Sequence, residues 1–146
     1  MDYKKFGNSI YARFDKGDEI ISGILEICRQ EKVLSATYSG IGGCGDVTVG
    51  TLIPETNEFV KHNKSGMLLE MISLNGNISS DGSSIEHHTH AMFSYLDKNK
   101  TPQFLGGHLL SATVLYTAEI EIRPVQNGAI RRKQDELTRI TVWDLK

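Results

Sequence analysis

Histidines are concentrated in one stretch of this sequence of 146 residues. The segment EHHTHAMF, residues 86–93, contains His87, His88 and His90, and the later segment FLGGHLLSATV contains His108. Alternate residues of a β-strand share a face and lie roughly 6.5 to 7 Å apart, so His88 and His90 are predicted to project together while His87 points to the opposite side. Two imidazoles in this arrangement can converge on one metal ion.

A metal ion such as Zn²⁺ needs at least a third protein ligand, and His108 is well suited to be that ligand. It follows Gly106 and Gly107 at the end of DKNKTPQFLGG, residues 97–107, which is interpreted as the longest loop of the chain. The conformational freedom of the two glycines would let His108 fold back onto the other two histidines. Imidazole ligands suit Zn, Cu, Fe and Ni alike. The ion is therefore expected to be divalent, and Zn²⁺ is the favoured candidate.

The opposing interpretation of the same histidines is structural. A histidine is more often a surface residue or a hydrogen-bonded core residue than a metal ligand, and the spacing alone leaves both interpretations open. The fifth histidine, His62 in VKHNKSG, is predicted to be exposed to solvent.

Two acidic residues, Glu70 and Glu119, are the candidate general bases if the site is catalytic. Both lie on predicted strands among apolar neighbours, where an unpaired carboxylate is unfavourable. Three histidine ligands would leave an open coordination position for a water or a substrate carbonyl. A structural hydrogen bond or a salt bridge between subunits is the alternative role of these acids, so the sequence does not decide whether the protein is an enzyme.

The segment GIGGCG, residues 40–45, matches the G-x-G-x-x-G pattern of dinucleotide-binding proteins. That pattern must open a helix whose N-terminus holds the pyrophosphate, whereas the next residues, DVTVGTLI, alternate as a strand does. No nucleotide cofactor is therefore expected, and the glycines are predicted to permit a tight or left-handed connection between strands. Cys44 in this segment has no paired base in the sequence pattern, so a role as a nucleophile is not favoured.

One helix and about eight strands are predicted to position these residues. The segment GDEIISGILEICRQEK carries apolar residues at helical spacing and predicts an amphipathic helix from about Asp18 to Lys32. Segments rich in β-branched or aromatic residues predict the strands: NSIYARF, VLSATYSGI, DVTVGTLI, EFVKHN, MLLEMISLNGNIS, EHHTHAMFSYL, SATVLYTAEIEIRPV and ITVWDL. The connections PETNE, NKSG and SSDGSS are short, which favours antiparallel neighbours. The predicted fold class is α/β of the α+β type, one domain over residues 1–146 with a mainly antiparallel sheet and one principal helix.

Composition disfavours several classes of protein. Sixteen Lys and Arg against 18 Asp and Glu leave a net charge of -2, so general binding to nucleic acid or anionic lipid is not expected. No apolar run approaches the roughly 20 residues of a membrane span. The two cysteines, Cys28 and Cys44, lack C-x-x-C spacing and are predicted to be free thiols in a reducing compartment, which favours a cytoplasmic location.

Five short motifs follow one another along the chain: SGIGG, EMISLNGNIS, DG followed by H-x-H, GGHLLSATV and TAEIEI. Their order resembles that of the plants and prokaryotes conserved domain, or PPC domain, from about Ser9 to Trp143. The resemblance implies a compact α/β fold with an antiparallel sheet and a homotrimer. It also implies a metal site of three histidines, which map onto His88, His90 and His108.

Plant members of this family join the domain to an AT-hook, an R-G-R-P element that enters the minor groove of DNA. The resemblance therefore also implies a DNA-binding label. The present sequence contains no R-G-R-P element, so direct binding to duplex DNA is expected to be weak or absent. Its basic cluster, Arg131-Arg132-Lys133, is followed at once by Asp135 and Glu136 and is interpreted as solvated surface.

Two functions remain open from these features. The favoured one is a metal-binding homotrimer that acts as a binding or regulatory module, through its trimer surface or an attached protein or small-molecule partner. The alternative is a small metal-dependent enzyme that uses the open coordination position of a three-histidine zinc site.

Overall fold

The helix forms where the sequence predicts it. In the computed structural model, which describes residues 1–146, helix α1 spans Ile20–Gln30 and buries one apolar stripe. The carboxylate of Glu19 accepts hydrogen bonds from two backbone N–H groups of the first turn and so caps the N-terminus. The helix is shorter than the predicted 18–32 because Glu19 is the capping residue and Lys32 has a positive φ of 55°.

Eight strands make up most of the remaining chain. Their bounds are β1 Asp2–Phe6, β2 Ser9–Asp15, β3 Ala36–Ile53, β4 Glu58–Ser80, β5 Ile85–Leu96, β6 Pro102–Pro124, β7 Arg131–Gln134 and β8 Thr141–Asp144. The sequence patterns do not predict β1, because its sequence DYKKF is largely polar. Strands β3 and β4 each join two predicted strands into one. Strand β6 begins inside the predicted loop 97–107, so the second half of that loop is a strand.

The glycine-rich segment 40–45 lies within β3, not in a connection between strands. None of its glycines has a positive φ, so the predicted left-handed connection is wrong. The register of the β3–β4 pair shifts twice in this segment, as it does at β-bulges. A Cβ atom at Gly42 would lie 2.6 Å from the Cβ atom of Ala118 on β6. Glycine is therefore required here for the close approach of two strands, and no helix follows that could bind a pyrophosphate.

All strand pairs are antiparallel, as the short connections PETNE and SSDGSS predict, whereas the third predicted connection, NKSG, lies within β4. Six strands form one sheet in the order β1-β2-β6-β3-β4-β5, and β5 also pairs with β6. Strands β6, β3, β4 and β5 therefore close into a ring, a feature that the local sequence patterns do not indicate. Strands β7 and β8 form a separate hairpin that contacts β4.

The sheet has one covered side and one open side. Helix α1 contacts β5 and β6, and one cluster of 26 buried hydrophobic residues fills the interior. Strand positions that point away from this core carry large apolar side chains that are exposed: Tyr11, Ile41, Ile72, Met92, Phe104 and Tyr116. We call this set of six residues the outer face. The helix has 11 residues, so no helix of the protein is long enough to cross a membrane.

Candidate metal centre

Strand pairing brings three histidines together. In the β5–β6 pair, His90 lies directly opposite His108, and His88 precedes His90 by two residues on the same face of β5. Side-chain nitrogens of His88, His90 and His108 all lie within 4.8 Å of one another, an arrangement able to hold a metal ion. The ring centroids are 5.1 Å apart for the first pair and 5.2 and 5.4 Å from His108. The three rings thus form a compact triangle.

The spacing of the nitrogens fits coordination by one ion. The Nε2 atoms of His88 and His90 are 3.2 Å apart. Two nitrogens bound to one zinc ion at about 2.0–2.1 Å and a tetrahedral angle would be about 3.4 Å apart. All three donors are imidazole nitrogens, a set that suits Zn²⁺ and other first-row divalent ions. The residues present therefore fit a divalent metal.

The structure leaves His87 out of this cluster. Its Nδ1 atom lies 3.0 Å from the hydroxyl oxygen of Thr89. Thr89 is fully buried and also shares a short hydrogen bond with the Tyr38 hydroxyl. His87 therefore belongs to a polar chain that reaches into the core, on the opposite side of β5 from His88 and His90, as strand alternation predicts.

His108 reaches the cluster from a strand and not from a loop. Gly107, just before it, has a φ of 154°, and a Cβ atom at this position would lie 2.7 Å from the carbonyl oxygen of Gly50 on β3. Glycine at position 107 is therefore needed for the close approach of β3 to β6, and not for a flexible connection. The ring of Phe59 packs against the His108 ring with a centroid distance of 5.0 Å, and this contact restricts the orientation of the imidazole.

The environment favours the neutral form of His88 and His108. Burial, and then the positive charges that His88 and His90 would carry, lower the pKa of His108 to about 4. Burial also lowers the pKa of His88, followed by the charges of His90 and Arg132. Only a neutral imidazole has a lone pair for a metal, so lowered pKa values favour the form that coordinates.

The three histidines line a cavity of about 460 Å³, and His87 also borders it although its ring nitrogen is directed to Thr89. Its remaining walls include Leu52, Phe59, Glu86, Arg132, Ile140 and Thr141. We call it the histidine cavity. The β7–β8 hairpin and the turn that joins its strands contribute Arg132, Ile140 and Thr141, so a segment distant in sequence forms one side of it.

Arg132 is the residue of this cavity that sequence reasoning missed. It is half-buried, its Nε donates to the hydroxyl of Ser79 at 2.6 Å, and its Nη2 donates to Oδ1 of Asn77 at 2.6 Å. The interpretation of the basic cluster as solvated surface is therefore wrong for Arg132, although Arg131 and Lys133 are exposed. The signal that could have found it is strand alternation, because residues on either side of Arg132 in β7 must face away from it.

Glu70 and Glu119 lie away from the histidines. Both are exposed and border a different depression, on the outer face, next to Ile41 and Ile72. The prediction of a buried setting is wrong, because the adjacent residues Leu69, Met71, Ala118 and Ile120 are buried and strand alternation turns the two carboxylates to the opposite, exposed side. The acid that does line the histidine cavity is Glu86, which is exposed at its edge.

The two cysteines are free and buried. Burial raises the pKa of Cys28 to about 11 and that of Cys44 to about 12. At neutral pH both are thiols and not thiolates, so neither is an activated nucleophile.

Comparison with known proteins agrees with the fold and the motifs. A structure of a metal-containing protein from Archaeoglobus fulgidus is 28% identical, covers 98% of both chains and has a TM-score of 0.82. A candidate DNA-binding protein from Bacteroides thetaiotaomicron is 26% identical, with 98% of this chain and 96% of that chain covered and a TM-score of 0.85. A plant- and prokaryote-conserved protein from Pyrococcus horikoshii is 25% identical, with 98% and 94% covered and a TM-score of 0.80.

Among curated protein sequences, none matches this chain. The sequence model of the Plants and Prokaryotes Conserved (PCC) domain, the family named PPC above, matches residues 1–126. The chain therefore belongs to the Plants and Prokaryotes Conserved domain family.

Proposed function

We propose that the protein is a metal-binding homotrimer that serves as a binding or regulatory module. In each chain His88, His90 and His108 would hold one divalent ion, for which Zn²⁺ is the favoured identity. The observation that supports this most is the convergence of three imidazoles, with the Nε2 atoms of His88 and His90 3.2 Å apart. The similar protein from Archaeoglobus fulgidus is described as metal-containing, which supports the same role for this chain.

A binding role is favoured over catalysis by the position of the acids. When bound, the ion would supply an open coordination position, because the chain offers three ligands there. The candidate bases Glu70 and Glu119 face a different depression from the histidines, and Glu86, the acid that does line the histidine cavity, is exposed at its edge. Phe59 and Arg132, in contrast, line the histidine cavity and can hold and orient a ligand.

The homotrimer is supported by the outer face. Three of its side chains keep more than half of their surface exposed, Ile41 at 57%, Phe104 at 63% and Tyr116 at 68%. Contiguous exposed apolar surface on a sheet is a common mark of a subunit interface. We propose that these faces pack against one another in the trimer.

A cytoplasmic location and weak DNA binding complete the proposal. Cys28 and Cys44 are both free thiols, which suits a reducing compartment. The similar protein from Bacteroides thetaiotaomicron is described as a candidate DNA-binding protein. For this chain, a net charge of -2 offers few contacts to a phosphate backbone.

Zinc titration of chelator-treated protein tests the metal site. We expect saturation at one ion per chain for the wild type and for His62→Ala, which changes an exposed histidine on β4. The variant His90→Ala should lose most of the affinity, because it removes one of three ligands. Equal zinc binding by His90→Ala and His62→Ala would overturn the proposed site.

A further inference from the structure

The Arg132 guanidinium faces the histidine cavity without an acidic partner. The residue is half-buried, and no carboxylate oxygen lies within 4.0 Å of its guanidinium. The chain contains eight ion pairs within that distance, and none of them includes Arg132. Its hydrogen bonds run through Nε and Nη2 to neutral side chains. The two N–H groups of Nη1 make no hydrogen bond to the protein. A partly desolvated cation with free donors is suited to bind an anion.

The neighbours of Arg132 hold it in one orientation. Asn77, which accepts from its Nη2, lies directly opposite His88 in the β4–β5 pair, and Ser79 lies opposite Glu86. Oδ1 of Asn77 also accepts from Nε1 of Trp143 on β8, at 3.3 Å. These hydrogen bonds thus fix the position of the guanidinium relative to the β4–β5 pair that carries His88. A fixed guanidinium recognises planar anions with two parallel hydrogen bonds.

Charge and shape narrow the class of ligand. The other charged residues of the cavity are Arg139 and Glu86, both exposed, so the half-buried charge is that of Arg132. Leu52, Phe59 and Ile140 supply apolar wall. An inorganic anion would leave that wall without contacts, whereas a carboxylate on a short carbon chain would cover it.

We propose that the histidine cavity binds a small organic carboxylate, with Arg132 as the residue that recognises its carboxyl group beside the three histidines. The inference rests on the proposed metal-binding module and names its ligand class. Arg132 lies on β7, beyond the residues 1–126 that match the family. The β7–β8 hairpin therefore supplies the ligand specificity to a metal site that lies within the family domain.

The test uses the full-length protein loaded with Zn²⁺ and isothermal titration with pyruvate, lactate and succinate, with inorganic phosphate as the competing anion. We expect at least one of the three carboxylates to bind and phosphate to bind more weakly. The variant Arg132→Gln should lose about ten- to hundredfold in affinity, the range for a charged hydrogen bond. Arg131→Gln, an equal change of charge on the exposed neighbour, should bind as the wild type does. Arg132→Lys keeps the charge but loses the planar fork, so it should fall between them.

Zinc content and thermal unfolding are measured for each variant, which separates loss of recognition from loss of the site or the hairpin. The inference is overturned if Arg132→Gln keeps its zinc and binds carboxylates as tightly as Arg131→Gln. It is also overturned if phosphate binds best, or if no carboxylate binds to zinc-loaded wild type at millimolar concentration. A wild type that takes up no zinc contradicts the metal site instead. Carboxylate titration of the zinc-free wild type and Arg132→Gln then tests Arg132 by itself, and equal binding by the two overturns its role.

Discussion

Two depressions on the same sheet differ in almost every physical respect. The histidine cavity contains the three clustered imidazoles and a half-buried guanidinium, between β5, β6 and the β7–β8 hairpin. The depression on the outer face is lined by Ile41, Ile72, Tyr116 and the exposed acids Glu70 and Glu119. We propose that the first is a ligand site and the second part of a subunit contact. Strand alternation alone does not separate the two, since His90 of the metal centre and Met92 of the outer face project from the same side of β5.

The largest effect is expected from a substitution in the outer face, because this face is proposed to be the subunit interface. Replacing Ile72, which is 47% exposed, by Asp would bury a charge in each subunit contact and weaken it by about 2 kcal/mol or more. We expect light scattering after size exclusion to give three times the protomer mass of 16.2 kDa for the wild type. The Ile72→Asp variant should give the mass of a monomer.

The matched control is Leu137→Asp, at a residue that is 91% exposed on the turn between β7 and β8. It should leave the trimer intact. A wild type that is monomeric at micromolar concentration would contradict the assignment of the outer face.

The histidine cavity should give the protein a dependence of stability on pH that the outer face does not. The pKa of His108 in the folded chain is about 4, below its ordinary 6.5. Between these values the unfolded chain binds a proton that the folded chain does not, so the free energy of unfolding falls as the pH falls through this window. Urea denaturation of metal-free protein between about pH 7 and pH 5, where most carboxylates remain ionised, measures it.

The His108→Gln variant removes this titration and should reduce the slope over that range, while His87 and His88, whose pKa values burial also lowers, keep the remainder. The control is His62→Gln, at an exposed position, which should keep the wild-type slope. An unchanged slope in His108→Gln would show that other groups cause the dependence.

Binding to duplex DNA is expected to be a small effect. The net charge of -2 leaves few phosphate contacts for either face, and affinity for the DNA backbone grows with their number. Fluorescence anisotropy with an A·T-rich duplex should give a dissociation constant well above about 1 µM at ~150 mM salt. Submicromolar binding would reveal a concentrated basic patch on one of the two faces.

The smallest effect is expected from the two outer-face acids. Glu70→Gln and Glu119→Gln should leave the zinc content and carboxylate affinity of the protein unchanged, because neither side chain lines the histidine cavity. Each variant is compared with His90→Ala in the same zinc titration. A loss of zinc in either glutamine variant as large as that in His90→Ala would place the acid at the metal centre.

The sequence predicts the local features of this molecule well. The helix, the antiparallel pairing and the common face of His88 and His90 all follow from residue spacing, because the periods of helices and strands are local properties. The closure of β5 onto β6 joins residues through long-range pairing, which no local pattern encodes. The flexible loop that predicts His108 as the third ligand is not there, because His108 lies on β6.

The wrong predictions for Glu70, Glu119 and Arg132 have the same physical cause. The apolar residues next to Glu70 and Glu119 in the sequence are buried, but the two carboxylates lie on the opposite side of their strands, and their exposure depends on what packs against that side. Arg132 lies in a charged run, and its contacts with Asn77 and Ser79 depend on how the β7–β8 hairpin packs on β4. Tertiary packing decides both cases.

The central claim is that His88, His90 and His108 bind one metal ion while His87 does not. The most direct measurement is the metal content of the purified wild type and of four single alanine variants, at His87, His88, His90 and His108, each checked for folding by circular dichroism. We predict one ion per chain in the wild type and His87→Ala, and loss of most of the metal in the other three, since each removes one of three ligands. Loss of metal in His87→Ala with retention in His88→Ala, or retention in all four variants, would contradict the account.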